Sequence, residues 1–250
     1  MRGLALVLLL FSLPAAAETV TVAFSEYRPP FLYVEDNQPK GIEWEVVNAA
    51  FAHTGIEVQP VYMANRRLLA AGTLNIVDGA TQAKGQDDGS TFYSDPYVTF
   101  ENYAITRKSA GLKIDSIKDL ERYDFAIWQD GWNNLGSEFL ATFGPDMNGK
   151  KKPKMHEFVD QKSQSRFFWQ GRCEVIVIDK TIFRWARQAL ASELDTGAEV
   201  TYHDLFKSKT NYQVRFASKA LRDKFNLGLH AIHASGEYDR IVATYTVSHP

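Results

Sequence analysis

The sequence predicts an α/β fold built as two units of similar size, and three observations carry that prediction. Strand-like and helix-like stretches alternate along nearly the whole chain, as expected of a largely parallel sheet with helices on its faces. The alternation restarts after a charged stretch at Lys108, with no low-complexity linker and no strict internal repeat. Of the 250 residues, 45% are hydrophobic and 13% aromatic, so either unit has the material for a core.

The first segment, Met1 to Ala17, is set apart from the fold. It carries Arg2, an apolar run from Leu4 to Leu13, and then Pro14-Ala15-Ala16-Ala17. A run of roughly 10 apolar residues is about half of what a bilayer-spanning helix needs. Small residues before Glu18 suit a signal peptidase, so residues 1–17 read as a secretory signal and the mature chain as starting at Glu18.

In the first unit Thr19 to Phe24 is β-branched and apolar, a strand signal. After a Pro-rich turn, Ile42 to Thr54 places apolar residues at helical spacing and stops at Gly55. Ile56 to Tyr62 reads as a strand, Arg66 to Ala71 as a short helix stopped by Gly72, and Leu74 to Val77 as a further strand. The second series has strands at Phe125 to Trp128, His156 to Val159 and Val175 to Ile178. Its helices are expected at Ser137 to Phe143, Ser163 to Gln170 and Ile182 to Leu190. After a loop at Lys207 to Thr210, Tyr212 to Ala217 alternates like a strand. Leu221 to Ser235 is a long amphipathic helix ending at Gly236, and Asp239 to Tyr245 a last short one.

Charge and special residues exclude several function classes. The formal charge is −2, and removing Arg2 with the leader takes it to −3, which leaves no electrostatic footprint for nucleic acid or an anionic membrane. The basic run Lys150-Lys151-Lys152-Pro153-Lys154 follows Asn148-Gly149 and is broken by proline, the pattern of a solvated loop. Cys173 is the only thiol, so no internal disulfide is possible and the core must supply the stability. It also lies far from the cleavage point, where a lipid anchor would need it, and a freely diffusing monomer is expected. No membrane insertion and no cofactor are expected. Among the histidines only His230 and His233 sit at i, i+3, a thin basis for a metal. Phosphate-cradling glycine loops and nucleophile elbows are missing.

Six motifs in fixed order carry a family resemblance. They are Arg28-Pro29-Pro30-Phe31 with Gly41-Ile42-Glu43-Trp44-Glu45, then Tyr93-Ser94-Asp95-Pro96-Tyr97, then Ile117-Lys118-Asp119-Leu120, then Gln170-Gly171-Arg172-Cys173-Glu174 leading to Asp179. Ser235-Gly236-Glu237-Tyr238-Asp239-Arg240-Ile241 completes them. The chain resembles the bacterial extracellular solute-binding proteins of family 3, the polar amino-acid transporter type with the type 2 periplasmic binding fold. The resemblance implies a first lobe of residues 18–99 and 208–250, a second lobe of 100–207, and two hinge strands between them. It further implies a periplasmic protein, not an enzyme, that closes on a small polar solute (amino acid or derivative, amine or organic acid) and delivers it to an inner-membrane ABC permease.

Transferred residue by residue, the resemblance marks both matches and departures. Family members grip a substrate carboxylate with an arginine before the Ser-Asp-Pro-Tyr segment, through two parallel hydrogen bonds. Here Asp87 stands at that position, and the small hydroxyl residues that assist it match Gly79, Ala80 and Gln82. Arg28, Arg66 and, less well placed, Lys84 are the cations that could substitute; each could equally be a surface residue paired with an acid. Glu26 and Tyr27 occupy the ligand loop after the first strand, unless Tyr27 simply packs on Pro29. In the second lobe the usual Gly-Ser/Thr anion loop is replaced by Gln129-Asp130-Gly131-Trp132-Asn133-Asn134. Trp132 and Asn133 are candidate ligand contacts, Trp128 a cap for the cleft or a core residue. Asp179 matches the carboxylate that family members place on a substrate amino group, and competes with a helix N-cap role. The expected ligand-binding set is therefore Glu26, Tyr27, Arg28, Arg66, Gln82, Trp132, Asn133 and Asp179. A dehydratase-like enzyme using Glu26, Asp87 and Asp179 is the rival reading; a sensing or accessory binding protein without transport is another.

Overall fold

The β1 strand (Glu18–Ser25) is fully buried at Val22, Ala23 and Phe24, because strands pair with it on both sides and helices cover both faces. This computed structural model describes residues 18–71, 76–147, 149–150, 152–206 and 209–246, without the side chains of Asn65, Arg66 and Leu69. The leader expected at 1–17 lies outside the described residues.

After β1 come a small hairpin, β2 (Tyr33–Glu35) and β3 (Gln38–Lys40), then α1 (Ile42–Ala52), β4 (Ile56–Met63), α2 (Asn65–Ala71) and β5 (Gly79–Ala83). Gly41 opens α1 at φ 113°, where a Cβ would lie 2.4 Å from the Phe31 carbonyl oxygen, so only glycine admits this entry. The short β6 (Phe92–Tyr93) and β7 (Val98–Phe100) lead to β8 (Asn102–Arg107). The second unit continues with β9 (Phe125–Trp128), α3 (Ser137–Phe143), β10 (Met155–Phe158), α4 (Gln161–Trp169), β11 (Val175–Asp179), α5 (Lys180–Leu190) and β12 (Val200–His203). The chain returns through β13 (Thr210–Phe216), α6 (Lys219–Ala234) and α7 (Glu237–Thr246).

Two sheets result, flanked by helices in a two-lobed arrangement. The first runs β4-β1-β5-β13-β6, with β7 also on β13; the second runs β10-β9-β11-β8-β12. Each sheet is parallel over one half and antiparallel over the other. The β-α-β units supply the parallel pairs β1 with β4 and β5, and β9 with β10 and β11. Strands that enter from the opposite lobe run the other way, so β13 is antiparallel to β5, β6 and β7, and β8 to β11 and β12.

The crossing between lobes is short. Phe100 ends β7 on the first sheet and Asn102 begins β8 in the second, with Glu101 between them. The outgoing and returning strands pair where Tyr212 faces Val98 and Thr210 faces Phe100. Glu101 is pinned there: its amide donates to Asp179 Oδ2 at 2.7 Å, and its carboxylate contacts Lys180 and Lys209. Those two ammonium groups hold the Glu101 carboxyl below its ordinary range.

Helix packing in the first lobe rests on α1 against α6. Gly228 of α6 lies so close to α1 that a Cβ there would come within 1.8 Å of the Ala50 carbonyl oxygen. Apolar residues of both lobes form one contiguous cluster, from Val22, Phe51 and Phe225 through Phe31 and Phe100 to Ile176 and Phe183.

Candidate functional site

Three strand C-terminal ends converge between the sheets. β1 delivers the loop with Arg28, β5 ends at Ala83 before Lys84, and β9 ends at Trp128 before Gln129 and Asp130. In both sheets the central parallel strand, β1 or β9, has parallel neighbours on each side, the topological switch point at which crevices form in α/β sheets. A cavity of about 260 Å³ occupies this place. Arg28, Leu68, Gln82, Lys84 and Tyr212 line it from the first lobe, Trp128, Gln129, Asp130, Asn133 and Asn134 from the second. Its size suits a small metabolite.

Arg28 and Lys84 flank an aromatic pair at the hinge. The Phe100 and Tyr212 rings are 5.2 Å apart edge to face. The Arg28 guanidinium lies 5.9 Å from the Phe100 centroid, and the Lys84 ammonium 5.4 Å from that of Tyr212, both within cation–π range. Lys84 also reaches across the cleft to Asn134 Oδ1 at 3.0 Å. Lys84 is exposed as a residue, yet partial burial of its ammonium pulls that group below its ordinary pKa.

Gln82 links the cavity to a buried carboxylate. It is 8% exposed and adopts φ 57°, in the left-handed region. Its Nε2 donates to Glu43 Oε1 at 3.1 Å and Oε2 at 3.3 Å, and to Ser25 Oγ at 3.3 Å. Glu43 is fully buried. Burial pushes its carboxyl up, against the pull of the Arg28 charge and of Gln82.

The other expected contacts lie elsewhere. Glu26 is exposed and Tyr27 is 56% exposed; Tyr27 lines a separate cavity of about 50 Å³ with Arg28, Pro29, Ile182 and Trp185. Burial and the nearby Asp160 charge raise the Tyr27 hydroxyl. Trp132 is half-buried and donates from Nε1 to Glu157 Oε1 at 3.1 Å. Arg66 is on α2, and its side chain lies outside the described residues. Asp179 caps α5: Oδ1 accepts from the Thr181 and Ile182 amides at 2.8 and 3.1 Å, and Oδ2 accepts from Glu101. Burial pushes its carboxyl up to about 6 despite these donors. Asp87 faces the first lobe's own body, accepting from the Tyr93 amide at 2.8 Å and pairing with Arg222 at 2.9 Å. Those bonds hold it below the ordinary carboxylate range.

The cavity thus gathers Arg28, Gln82 and Asn133 from the expected set, together with Lys84 and Trp128, which the sequence had flagged. Tyr212 and Glu43 were missed. Glu43 carried a signal, since it shares the buried face of α1 with Val46, Val47 and Ala50, and a charge on an apolar stripe is the informative exception. Tyr212 gave none, because its place depends on which strand returns through the hinge.

The profile of the bacterial extracellular solute-binding proteins, family 3, matches residues 20–248. The chain belongs to that family. Solved structures agree at the level of fold. A histidine kinase sensor domain with similarity to periplasmic binding proteins superposes with TM-score 0.70 at 17% identity, over 91% of this chain and 95% of that one. The arginine-, lysine-, histidine-binding protein ArtJ of Geobacillus stearothermophilus gives 0.68 at 17% identity, over 93% and 97%. The ancestral amino-acid-binding protein AncCDT-1, a precursor of cyclohexadienyl dehydratase, gives 0.67 at 19%, over 91% and 95%. Among curated protein sequences none matches. No helix among the described residues is long and apolar enough to cross a membrane, and no group of three or more His, Cys, Asp or Glu among them could hold a metal ion.

Proposed function

We propose that this protein captures a small polar solute in the cavity between its two sheets, closes on it by a hinge motion, and delivers it to an inner-membrane ABC permease. The lobes are residues 18–99 with 208–250, and residues 100–207. Residues 1–17 act as the leader that sends the chain to the periplasm. The observation that carries this reading is the cavity lined from both lobes, across which Lys84 donates to Asn134. A solute touching both walls stabilises the closed form over the open one, and that difference is what a membrane partner can recognise. Glu26, Asp87 and Asp179, the acids of the dehydratase-like alternative, are not among the residues that line the cavity, which favours binding over that proton-moving reading.

The test is thermal unfolding of residues 18–250 with amino acids, amines, organic acids and aromatic metabolites. A solute at a hundredfold excess over its Kd stabilises by about 2.7 kcal/mol, so at least one class raises the midpoint by several degrees. A midpoint unmoved by every class contradicts the proposal.

A further inference from the structure

We propose that the solute is a small carboxylate with a planar apolar body and no α-ammonium group, anchored by Lys84. This rests on the solute-binding reading above. Lys84 supplies the first argument. Its ammonium meets only neutral partners, the Asn134 side-chain oxygen and the Tyr212 ring, and among the described residues no carboxylate pairs with it. A cation withdrawn partly from water without a counter-charge is a position that an anionic ligand completes.

The charge of the wall points the same way. The charged side chains that line it are two cations, Arg28 and Lys84, and one carboxylate, Asp130; behind the wall Glu43 and Asp179 act on the Tyr212 hydroxyl against Arg28, while neither bonds to Lys84. Arg28 and Lys84 lie beside the two rings of one aromatic pair, so a carboxylate held at the Lys84 ammonium shares its side of the cavity with a second cation. An α-ammonium in the same place is repelled. The carboxylate that the family resemblance assigns to a substrate amine does not line the cavity: Asp179 accepts three backbone N–H bonds and closes the start of α5. Leu68, Trp128 and Tyr212 provide apolar and ring surface for the rest of the molecule.

The experiment is calorimetric titration of residues 18–250, unfolded and refolded to strip carried-over solute. The probes come in matched sets: benzoate, benzamide and benzylamine; 3-phenylpropionate, its amide and L-phenylalanine; glutarate and L-glutamate. The expected result is that a carboxylate binds at least tenfold more tightly than its amide, amine or α-amino counterpart. K84M is expected to weaken that carboxylate tenfold or more and its amide by much less, and K84R to restore part of the loss. The K84M unfolding midpoint, expected at or above that of the wild type, certifies its fold. An amine or α-amino acid that binds as tightly as its matched carboxylate overturns the proposal, with Asp130 then the group to examine. Undiminished carboxylate binding by K84M overturns it as well. Binding by no probe of any class contradicts the solute-binding reading itself, a distinct outcome.

Discussion

Asp179 shows how one residue ties the hinge to proton concentration. Its carboxyl ordinarily titrates at 3.8 and is raised to about 6 in the folded chain, so the native state holds the proton more tightly than the unfolded one. Its stabilising contribution is complete below about pH 4 and is lost as the pH rises to about 6. A shift of roughly two units corresponds to about 3 kcal/mol. Glu43, also raised, acts with the same sign from its ordinary 4.5 upward. Asp87 is lowered and acts oppositely, its contribution lost as the pH falls through the region below 3.8. Urea unfolding at pH 4, 5, 6 and 7 is therefore predicted to give a steeper loss of stability between pH 4 and 6 in the wild type than in D179N. Equal slopes in the two proteins would count against a protonated Asp179 in the folded chain. The sequence made Asp179 legible as a cap or a ligand group, but its Glu101 partner, 78 residues away, was hidden. Likewise the motif count located Asp87, while its pairing with Arg222, 135 residues away, depends on a tertiary contact that no local pattern encodes.

Among the elements, length decided what could be read. Helices such as α1, α5 and α6 repeat an apolar stripe over several turns, β9 and β11 are nearly continuous apolar runs, and β1 is β-branched and apolar; all lie within a few residues of their expected positions. β6 and β7 span two and three residues and the β2–β3 hairpin three on each side, too short for any period to register. Of the strand expected at Leu74 to Val77, Leu74 and Asn75 lie outside the described residues and Ile76 and Val77 are not in a strand; β5 begins at Gly79, after Asp78 accepts from the Thr21 amide and hydroxyl at 2.7 and 2.8 Å. The α1–α6 contact supplies the prediction at this scale. Replacing glycine by alanine within a helix ordinarily stabilises by about 1 kcal/mol. At Gly228 the added carbon meets the Ala50 carbonyl at 1.8 Å, and overpacking of this kind costs about 1–3 kcal/mol. The steric cost wins, so G228A is predicted to lower the unfolding midpoint; a raised midpoint would show that the two helices separate freely.

For the whole molecule, the two-unit organisation was legible because the strand–helix alternation restarts, and the motif order pointed to the same arrangement. The antiparallel half of each sheet was not, since it is made by strands that cross between lobes. The same crossing positions the cavity: β7, Glu101 and β13 connect the two sheets, and the cavity lies between them. The central claim is that solute draws these lobes together. It is tested most directly by the distance between spin labels on E57C in the first lobe and E138C in the second, both exposed positions. Cys173 is buried, with its thiol pushed up to about 12, and stays unlabelled. A shift of the distance distribution toward shorter separations with the carboxylate that binds, absent in K84M at the same concentration, is the predicted result. An identical distribution with and without bound solute would contradict the account.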